Sequence, residues 1–395
     1  MPAVLMSLVL GSLSLVACGS LVEGTPVERT LDTASDAPES ADTSGSPGDT
    51  EPPEDTGPSE EQEEPPVDTS PTDTGEPGTE EESGAPSFET CFADIGATEA
   101  GAGGPDYDQF APVVGSHCSG TNHQDISGVE RVVFLGDSIT VGTLPTLDYD
   151  FYRNRLALEL AAHFGLEAPD LFWQAVDLFS GTTISQESGD FASCAEYGAR
   201  TDDLMRDDDQ VEACLPEDQR DKTTLVVMTM GSNDLAALAE DFVTSGKTHE
   251  ELWTQTEEAM QLLRDAVEWI VTPGRFPNGV YVVFTNQYEF TDATGDVTAC
   301  PLASLAGFEA AITDPMLEEM VIWSMEQYMA IATDTRTDML FLLESFCGHG
   351  FNYDDTTGRC YRGADAELWF DLTCTHPNPT GHGELADMFL DTILE

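Results

Sequence analysis

Val132-Val133-Phe134-Leu135-Gly136-Asp137-Ser138-Ile139-Thr140 decides the fold of this chain. A run of β-branched and apolar residues stops at Gly-Asp-Ser, and a helical pattern sets in from about Asp150. A short apolar run that ends in a turn signal predicts a buried strand of a parallel sheet. Such a strand carries Ser138 to the carboxyl edge of the sheet, where open α/β folds keep their chemistry.

Two later segments supply partners for that serine. Gly231-Ser232-Asn233-Asp234 follows a second apolar run, Thr224 to Met230, and His376-Pro377-Asn378 stands near the C-terminus. A serine, an amide donor and a histidine, each just after a strand or on a loop, make a nucleophile, an oxyanion donor and a general base. Outward from these points, strands are expected at 131–135, 171–176, 224–230, 279–285 and 338–344. Helices are expected at 150–164, 201–207, 248–271, 314–333 and 381–393. The spacing of Leu252, Thr256, Met260, Leu263, Val267 and Ile270 is that of one helix face. Strands alternating with helices predict a parallel sheet covered on both sides.

The chain has 395 residues and a formal net charge of −61. Met1 to Ala17 is apolar, rich in small residues and too short to span a bilayer, as in a secretory signal. Leu15-Val16-Ala17-Cys18 is similar to the lipobox of bacterial lipoproteins. That similarity makes Cys18 an acylated first residue of the mature chain, and Gly19-Ser20 after it imply the outer membrane. An ordinary secretion signal with an incidental cysteine is the alternative.

Residues 18–87 form an acidic linker rich in Pro, Thr, Ser and Gly. From Glu23 to Glu82 it carries 20 acidic residues and one basic one, Arg29. This composition buries too little apolar surface to offset chain entropy, so an extended, self-repelling tether is expected. The linker holds only about a third of the net charge, and the remainder is still acidic, with lysine only at positions 222 and 247. Nucleic acid and anionic membrane surfaces are poor partners for it. Adaptation to a salty habitat and lineage composition are equally good accounts of the charge.

Of nine cysteines, eight remain after Cys18, an even number that suits four disulfides in an exported protein. Cys194 with Cys214 and Cys347 with Cys360 are plausible local loops. No Cys-x-x-Cys is present, and no metal or cofactor is expected. Residues 88–130 have little periodicity and are expected to be a disulfide-tied leader. Asn122-His123-Gln124 precede the first strand, which places them at the amino edge of the sheet in a structural role.

The matched blocks resemble the SGNH (GDSL-type) hydrolases over residues 131–395. The resemblance implies a three-layer α/β/α, flavodoxin-like domain with a central parallel sheet. It implies Ser138, in Phe134-Leu135-Gly136-Asp137-Ser138, as nucleophile, with Asp137 supporting the turn. Gly198, in Tyr197-Gly198-Ala199-Arg200-Thr201-Asp202-Asp203-Leu204, is similar to the glycine whose N–H faces the oxyanion; Gly181 competes with it. Val226 to Asp234 is similar to the strand that ends in Gly-x-Asn-Asp, with Asn233 as amide donor. The Ser138 N–H completes an oxyanion hole with Gly198 and Asn233.

His376 takes the place of the family's base, with His382 as the other candidate. The family's aspartate stands three residues before its histidine, where this chain has Thr373. Three readings follow: Asp371, five residues before, reaches the imidazole; the backbone carbonyl of Thr373 orients the ring; or the site is impaired. Asp371 is slightly favoured. His349, after the last strand, is a further candidate for lining the site, whereas Trp173, Trp253, Trp269 and Trp323 belong by default to the core.

The resulting expectation is an exported serine ester hydrolase, an acyl or acetyl esterase, working through an acyl-enzyme on Ser138. Its substrate would be an ester of a lipid or of an O-acylated carbohydrate, and no cofactor is needed. It would be a monomer that meets the membrane only through its lipid anchor, at the outer membrane or cell surface, or secreted. A catalytically silent surface lipoprotein that uses the same fold for ligand binding is the alternative.

Overall fold

The structure, a computed structural model, describes residues 86–93, 95, 104–206, 209–303, 311 and 314–395. The expected signal segment, Cys18 and the linker up to residue 85 lie outside the described residues.

Eight strands occur among the described residues: β1 (Arg131–Gly136), β2 (Val176–Asp177), β3 (Thr182–Thr183), β4 (Glu187–Ser188), β5 (Phe191–Ser193), β6 (Thr224–Thr229), β7 (Val280–Thr285) and β8 (Asp338–Leu340). Six form one sheet in the order β4-β5-β1-β6-β7-β8, while β2 and β3 make a separate hairpin. β5, β1, β6, β7 and β8 are mutually parallel, and only the edge strand β4 runs antiparallel. Taken in chain order, the parallel strands stand 2-1-3-4-5, the doubly wound order of flavodoxin-like sheets.

Every residue of β1 and β6 is buried, as their unbroken apolar runs require. Alternate residues serve opposite faces. Val133, Leu135, Val226, Met228, Val282 and Phe284 pack on one side with Met260, Leu263 and Val267 of α3 (His249–Ile270) and Met325 and Met329 of α4 (Pro315–Thr335). Val132, Phe134, Leu225, Val227 and Val283 pack on the other with Leu156 and Leu160 of α1 (Tyr152–Phe164) and Leu385, Phe389 and Ile393 of α5 (Pro379–Leu394). α2 is the helix Ser232–Glu240 that follows β6. Each buried Leu, Val or Phe contributes roughly 1.5–3 kcal/mol relative to its exposed state, so the two apolar faces hold the three layers together.

Four disulfides are present among the described residues. Cys194–Cys214 and Cys347–Cys360 are the two local loops expected from spacing, and Cys91–Cys118 and Cys300–Cys374 complete the set. Asn122-His123-Gln124 lie at the amino edge. The backbone of His123 donates to Asp338 Oδ1 at 2.6 Å, and Gln124 exchanges hydrogen bonds with both backbone groups of Val282.

Three element expectations are corrected. Residues 171–176 do not enter the sheet: Leu171–Gln174 is a short helix, because the Asp170 carboxylate caps Phe172 N and Trp173 N. The strand beside β1 is instead β5, three residues long, too short to announce itself by periodicity. The last strand stops at Leu340, and Leu342–Phe346 is helical, its first N–H groups donating to Asn286 Oδ1. The helix expected at 201–207 is a single 3-10 turn, Thr201–Leu204.

Candidate active site

The register of the sheet assembles the site. Arg131–Gly136 pair residue for residue with Thr224–Thr229, so β1 and β6 end level at their carboxyl edges. Ser138 follows β1 by two residues and Asn233 follows β6 by four, which brings the two turns side by side. This is also where the strand order reverses, with β5 on one side of β1 and β6 on the other.

Gly136 is required by close approach. Its φ is +137°, and a Cβ there would lie 2.2 Å from the Thr229 carbonyl oxygen. Asp137 then caps the short helix Ser138–Val141, accepting from Ile139 N at 3.0 Å and from Thr229 Oγ1 at 3.1 Å. Burial pushes its carboxyl up to about 7. Asp137 therefore supports the turn. Ser138 is half-buried at the first position of that helix.

Gly231, at φ +114°, caps α2, and a Cβ there would collide with Tyr328 Oη at 1.9 Å. Asn233 sits on the first turn of α2 and donates one amide hydrogen to the Ala199 carbonyl at 2.8 Å, leaving the second for another acceptor. Asp234 accepts from both Thr201 N and Thr201 Oγ1, at 3.1 and 3.0 Å. These bonds tie the turn after β6 to the loop 197–201. Glu196 N donates to the Gly136 carbonyl at 3.1 Å, which ties the same loop to the end of β1.

Gly198, between these anchors, is exposed, has φ +79° and would meet nothing within 4 Å if given a Cβ. Gly181, its competitor, is buried in the β2–β3 turn against Tyr197, whose Cβ would lie 2.8 Å from an added Cβ. Gly181 is a packing glycine, and the open space is at Gly198.

The histidine loop closes the arrangement. His376 Nε2 lies 2.9 Å from Ser138 Oγ. Burial pushes the His376 imidazole down to about 4, so it is neutral and able to accept a proton near neutral pH. On the other side of the ring, Nδ1 lies 2.7 Å from Thr373 Oγ1. Thr373 in turn meets Asp371 Oδ1 with its Oγ1 at 2.5 Å and its backbone N at 2.7 Å.

Both sequence expectations for the ring's partner are thereby corrected. The Asp371 carboxylate meets Thr373 rather than the ring, because the Thr373 side chain occupies the place between them, and the Thr373 hydroxyl rather than its carbonyl faces Nδ1. The signal was present in the sequence: a threonine at the aspartate's usual position, with an aspartate two residues before it, close enough for a local side-chain-to-backbone turn.

The loop itself is a tight turn. Asp371 N donates to the His376 carbonyl at 2.9 Å, Tyr288 Oη donates to the Thr375 carbonyl at 2.7 Å, and Cys374 is bonded to Cys300. Asn378 caps α5 through Thr380 N and Gly381 N, which sets the base of the loop.

The other histidines do different work. His382 is buried in α5 beside the rings of Phe151 and Tyr152, and burial holds it neutral, down at about 3. His349 stacks on Trp369 with ring centroids 3.5 Å apart, and its Nδ1 lies 2.8 Å from the Glu367 carbonyl. Of the Trp residues expected in the core, Trp173 is fully buried under the Arg153 guanidinium, while Trp253, Trp269 and Trp323 are half-buried at the edges of other apolar clusters. Among the described residues no three His, Cys, Asp or Glu side chains group as metal ligands.

A small pocket of about 90 Å³ is lined by Gly142, Leu144, Asp148, Phe151, Val176, Leu178 and Tyr197; Ser138 and His376 are not in its lining. Gly142 N donates to the Ser138 carbonyl, and Tyr197 is the neighbour of Gly198 and donates to the Gly142 carbonyl at 2.7 Å. A larger cavity of about 180 Å³ is lined by Arg200, Thr201, Asp234 and Leu238 among others, and neither Ser138 nor His376 reaches it.

The family model for GDSL-like lipases and acylhydrolases matches residues 132–389. No curated protein matches the chain. Among solved structures, phospholipase A1 from Streptomyces albidoflavus NA297 is 16% identical, with 67% of this chain and 99% of that one covered and a TM-score of 0.40. An extracellular lipase from Streptomyces rimosus is 16% identical, covering 67% of this chain and 100% of that one, with a TM-score of 0.39. The acetyl xylan esterase AlAXEase is also 16% identical, with 66% and 98% covered and a TM-score of 0.35. Similarity of this extent says nothing of this chain's substrate.

Proposed function

We propose, from the premise that the chain belongs to the GDSL-like lipase/acylhydrolase family and is a carboxylic ester hydrolase, that it works through an acyl-enzyme on Ser138. The observation that carries this reading is the 2.9 Å contact between Ser138 Oγ and His376 Nε2 at the carboxyl edge of the sheet. His376 takes the Ser138 proton as the hydroxyl oxygen bonds to the ester carbonyl carbon. It returns that proton to the departing alcohol and then activates water to release the acid. The N–H groups of Ser138 and Gly198 and the free amide hydrogen of Asn233 hold the oxyanion.

We assign the acyl group to the small pocket at Gly142, whose N–H donates to the Ser138 carbonyl; its other walls are Leu144, Asp148, Phe151, Val176, Leu178 and Tyr197. Its size favours short acyl chains, such as acetyl. The rim is apolar, with Leu144 and Leu178 half exposed and Phe179 fully exposed at the β2–β3 tip. The protein is exported and anchored through acylated Cys18. Support for export comes from the four disulfides, which form and persist in oxidising compartments.

Hydrolysis of p-nitrophenyl esters of rising acyl length tests this reading. Activity should be highest on acetyl and butyryl esters. It should vanish in Ser138→Ala with the thermal midpoint unchanged, and fall about 10²–10³-fold in kcat in Asn233→Ala, where the lost hydrogen bond to the Ala199 carbonyl also lowers the midpoint slightly. Substantial turnover by Ser138→Ala would remove the serine from the mechanism.

A further inference from the structure

We propose that the Thr373 hydroxyl is the positioning group for His376, and that Asp371 acts on the imidazole only through it. The inference rests on the Ser138–His376 reading above. Its basis is the direction of the hydrogen bonds, which the donor inventory of each group determines.

The Asp371 carboxylate has no hydrogen to give, so at 2.5 Å the Thr373 hydroxyl donates to it. A hydroxyl has a single hydrogen, so at the 2.7 Å contact with His376 Nδ1 the threonine oxygen accepts. Nδ1 therefore carries the hydrogen, and Nε2 presents its lone pair to Ser138 Oγ. The chain Asp371–Thr373–His376–Ser138 thus selects the tautomer that general base catalysis needs. Thr375 Oγ1 is the other hydroxyl near Nδ1, but at 3.5 Å it is too distant to compete.

During acyl transfer the Ser138 O–H bond breaks, an Nε2–H bond forms, and the serine oxygen bonds to the carbonyl carbon. Nδ1 keeps its hydrogen throughout, and no proton reaches Asp371. The threonine oxygen, polarised by the carboxylate behind it, faces the positive charge that develops on the ring. A direct carboxylate contact would raise the imidazole; here burial acts on it alone and lowers it. The other titratable groups facing this loop are His382 from α5 and Tyr288 from the segment after β7, with Asp137 beyond Tyr288.

The position of Thr373 is secured from several sides. Its backbone N–H donates to Asp371, the next residue is in the Cys300–Cys374 bridge, and Asp371 N closes the turn on the His376 carbonyl. A threonine held in this way presents its hydroxyl at one angle.

The test uses the full chain with p-nitrophenyl acetate, reading kcat, KM, the pH profile of kcat/KM and the thermal midpoint. Thr373→Val keeps the branched shape and removes the hydroxyl; kcat should fall at least about tenfold and up to about 10³-fold, with KM near wild type. Thr373→Ser should keep activity within about threefold, since it retains the hydroxyl. Thr373→Asp brings a carboxylate directly to Nδ1, so the acid limb of kcat/KM should move to higher pH. In that background Asp371→Asn should have little effect, whereas in wild type it should lower kcat by less than Thr373→Val, since the amide oxygen still accepts from the Thr373 hydroxyl but carries no charge.

Wild-type kcat in Thr373→Val, or an unmoved acid limb in Thr373→Asp, would overturn the relay. If Thr373→Val fails to fold, Thr373→Ser and Thr373→Asp decide alone. Ser138→Ala run alongside separates the two levels: a dead serine variant beside a fully active Thr373→Val ends the relay and leaves the serine mechanism standing.

Discussion

The turn after β1 and the loop before α5 meet at one contact, yet they are built by different physics. Gly136 to Thr140 is held by backbone register: β1 and β6 end level, and Asp137, Thr140 and Thr229 lock the turn inside the protein. Residues 370–377 have no ladder behind them except a single bridge, Phe370 to Pro377. Their shape comes from a disulfide, a tyrosine hydroxyl and the side chains of Asp371 and Thr373. A strand end places its residue wherever the sheet places it. A loop end must fix its residue with local chemistry, and local chemistry can be solved in more than one way. That difference explains why the serine block follows the family pattern closely while the histidine block replaces an aspartate by a threonine and a more distant acid.

The largest expected effect breaks the strand-built side. In Gly136→Ala the new Cβ would lie 2.2 Å from the Thr229 carbonyl at a φ of +137°, so β1 and β6 cannot keep their pairing at that point. A loss of about 4 kcal/mol or more is expected, read by chemical denaturation. Next comes the loop side. Cys300→Ser with Cys374→Ser opens a bridge of sequence separation 74, for which chain entropy predicts about 4 kcal/mol or somewhat less. Here kcat should fall along with the thermal midpoint, because the bridge also aims Thr373; an unchanged kcat with lowered stability would show that the loop aims itself.

The smallest effect sharpens the contrast without a mutation. Burial lowers His376 to about 4, so the neutral base persists to lower pH than in a solvated histidine, and the main loss of kcat/KM should come as pH falls through about 4. Asp371 is pushed up to about 6 by burial, so a partial step should precede it: the protonated carboxyl still accepts from Thr373 through its carbonyl oxygen, but the negative charge that polarises the hydroxyl is gone. Asp371→Asn should erase that upper step and leave the lower one in place.

Legibility followed the same division. The runs at 131–136, 224–229 and 280–285 were readable because strands covered on both faces are continuously apolar. α3 was readable from its spacing. β5 was not, since three residues carry no period, and 171–176 misled because an apolar Leu-Phe-Trp run is compatible with strand or helix until the Asp170 cap decides. At the site, Ser138 and Asn233 were visible as residues that end strands, and His376 as a histidine before a capped helix. For Thr373 only its position and the aspartate two residues before it were visible; that its hydroxyl faces the ring was not, because hydroxyl geometry has no sequence period.

By itself, then, the sequence determined the α/β layering, the carboxyl-edge serine, the asparagine and histidine that accompany it, and two of the disulfides. Side-chain period and turn residues are local properties that survive without coordinates. Only the tertiary structure decided which strand lies beside β1, that Gly198 rather than Gly181 faces open space, that Cys374 joins Cys300, and that a threonine hydroxyl stands between Asp371 and the imidazole. Each of these depends on where distant segments converge, to within a fraction of a hydrogen-bond length, and residue order alone does not carry that information.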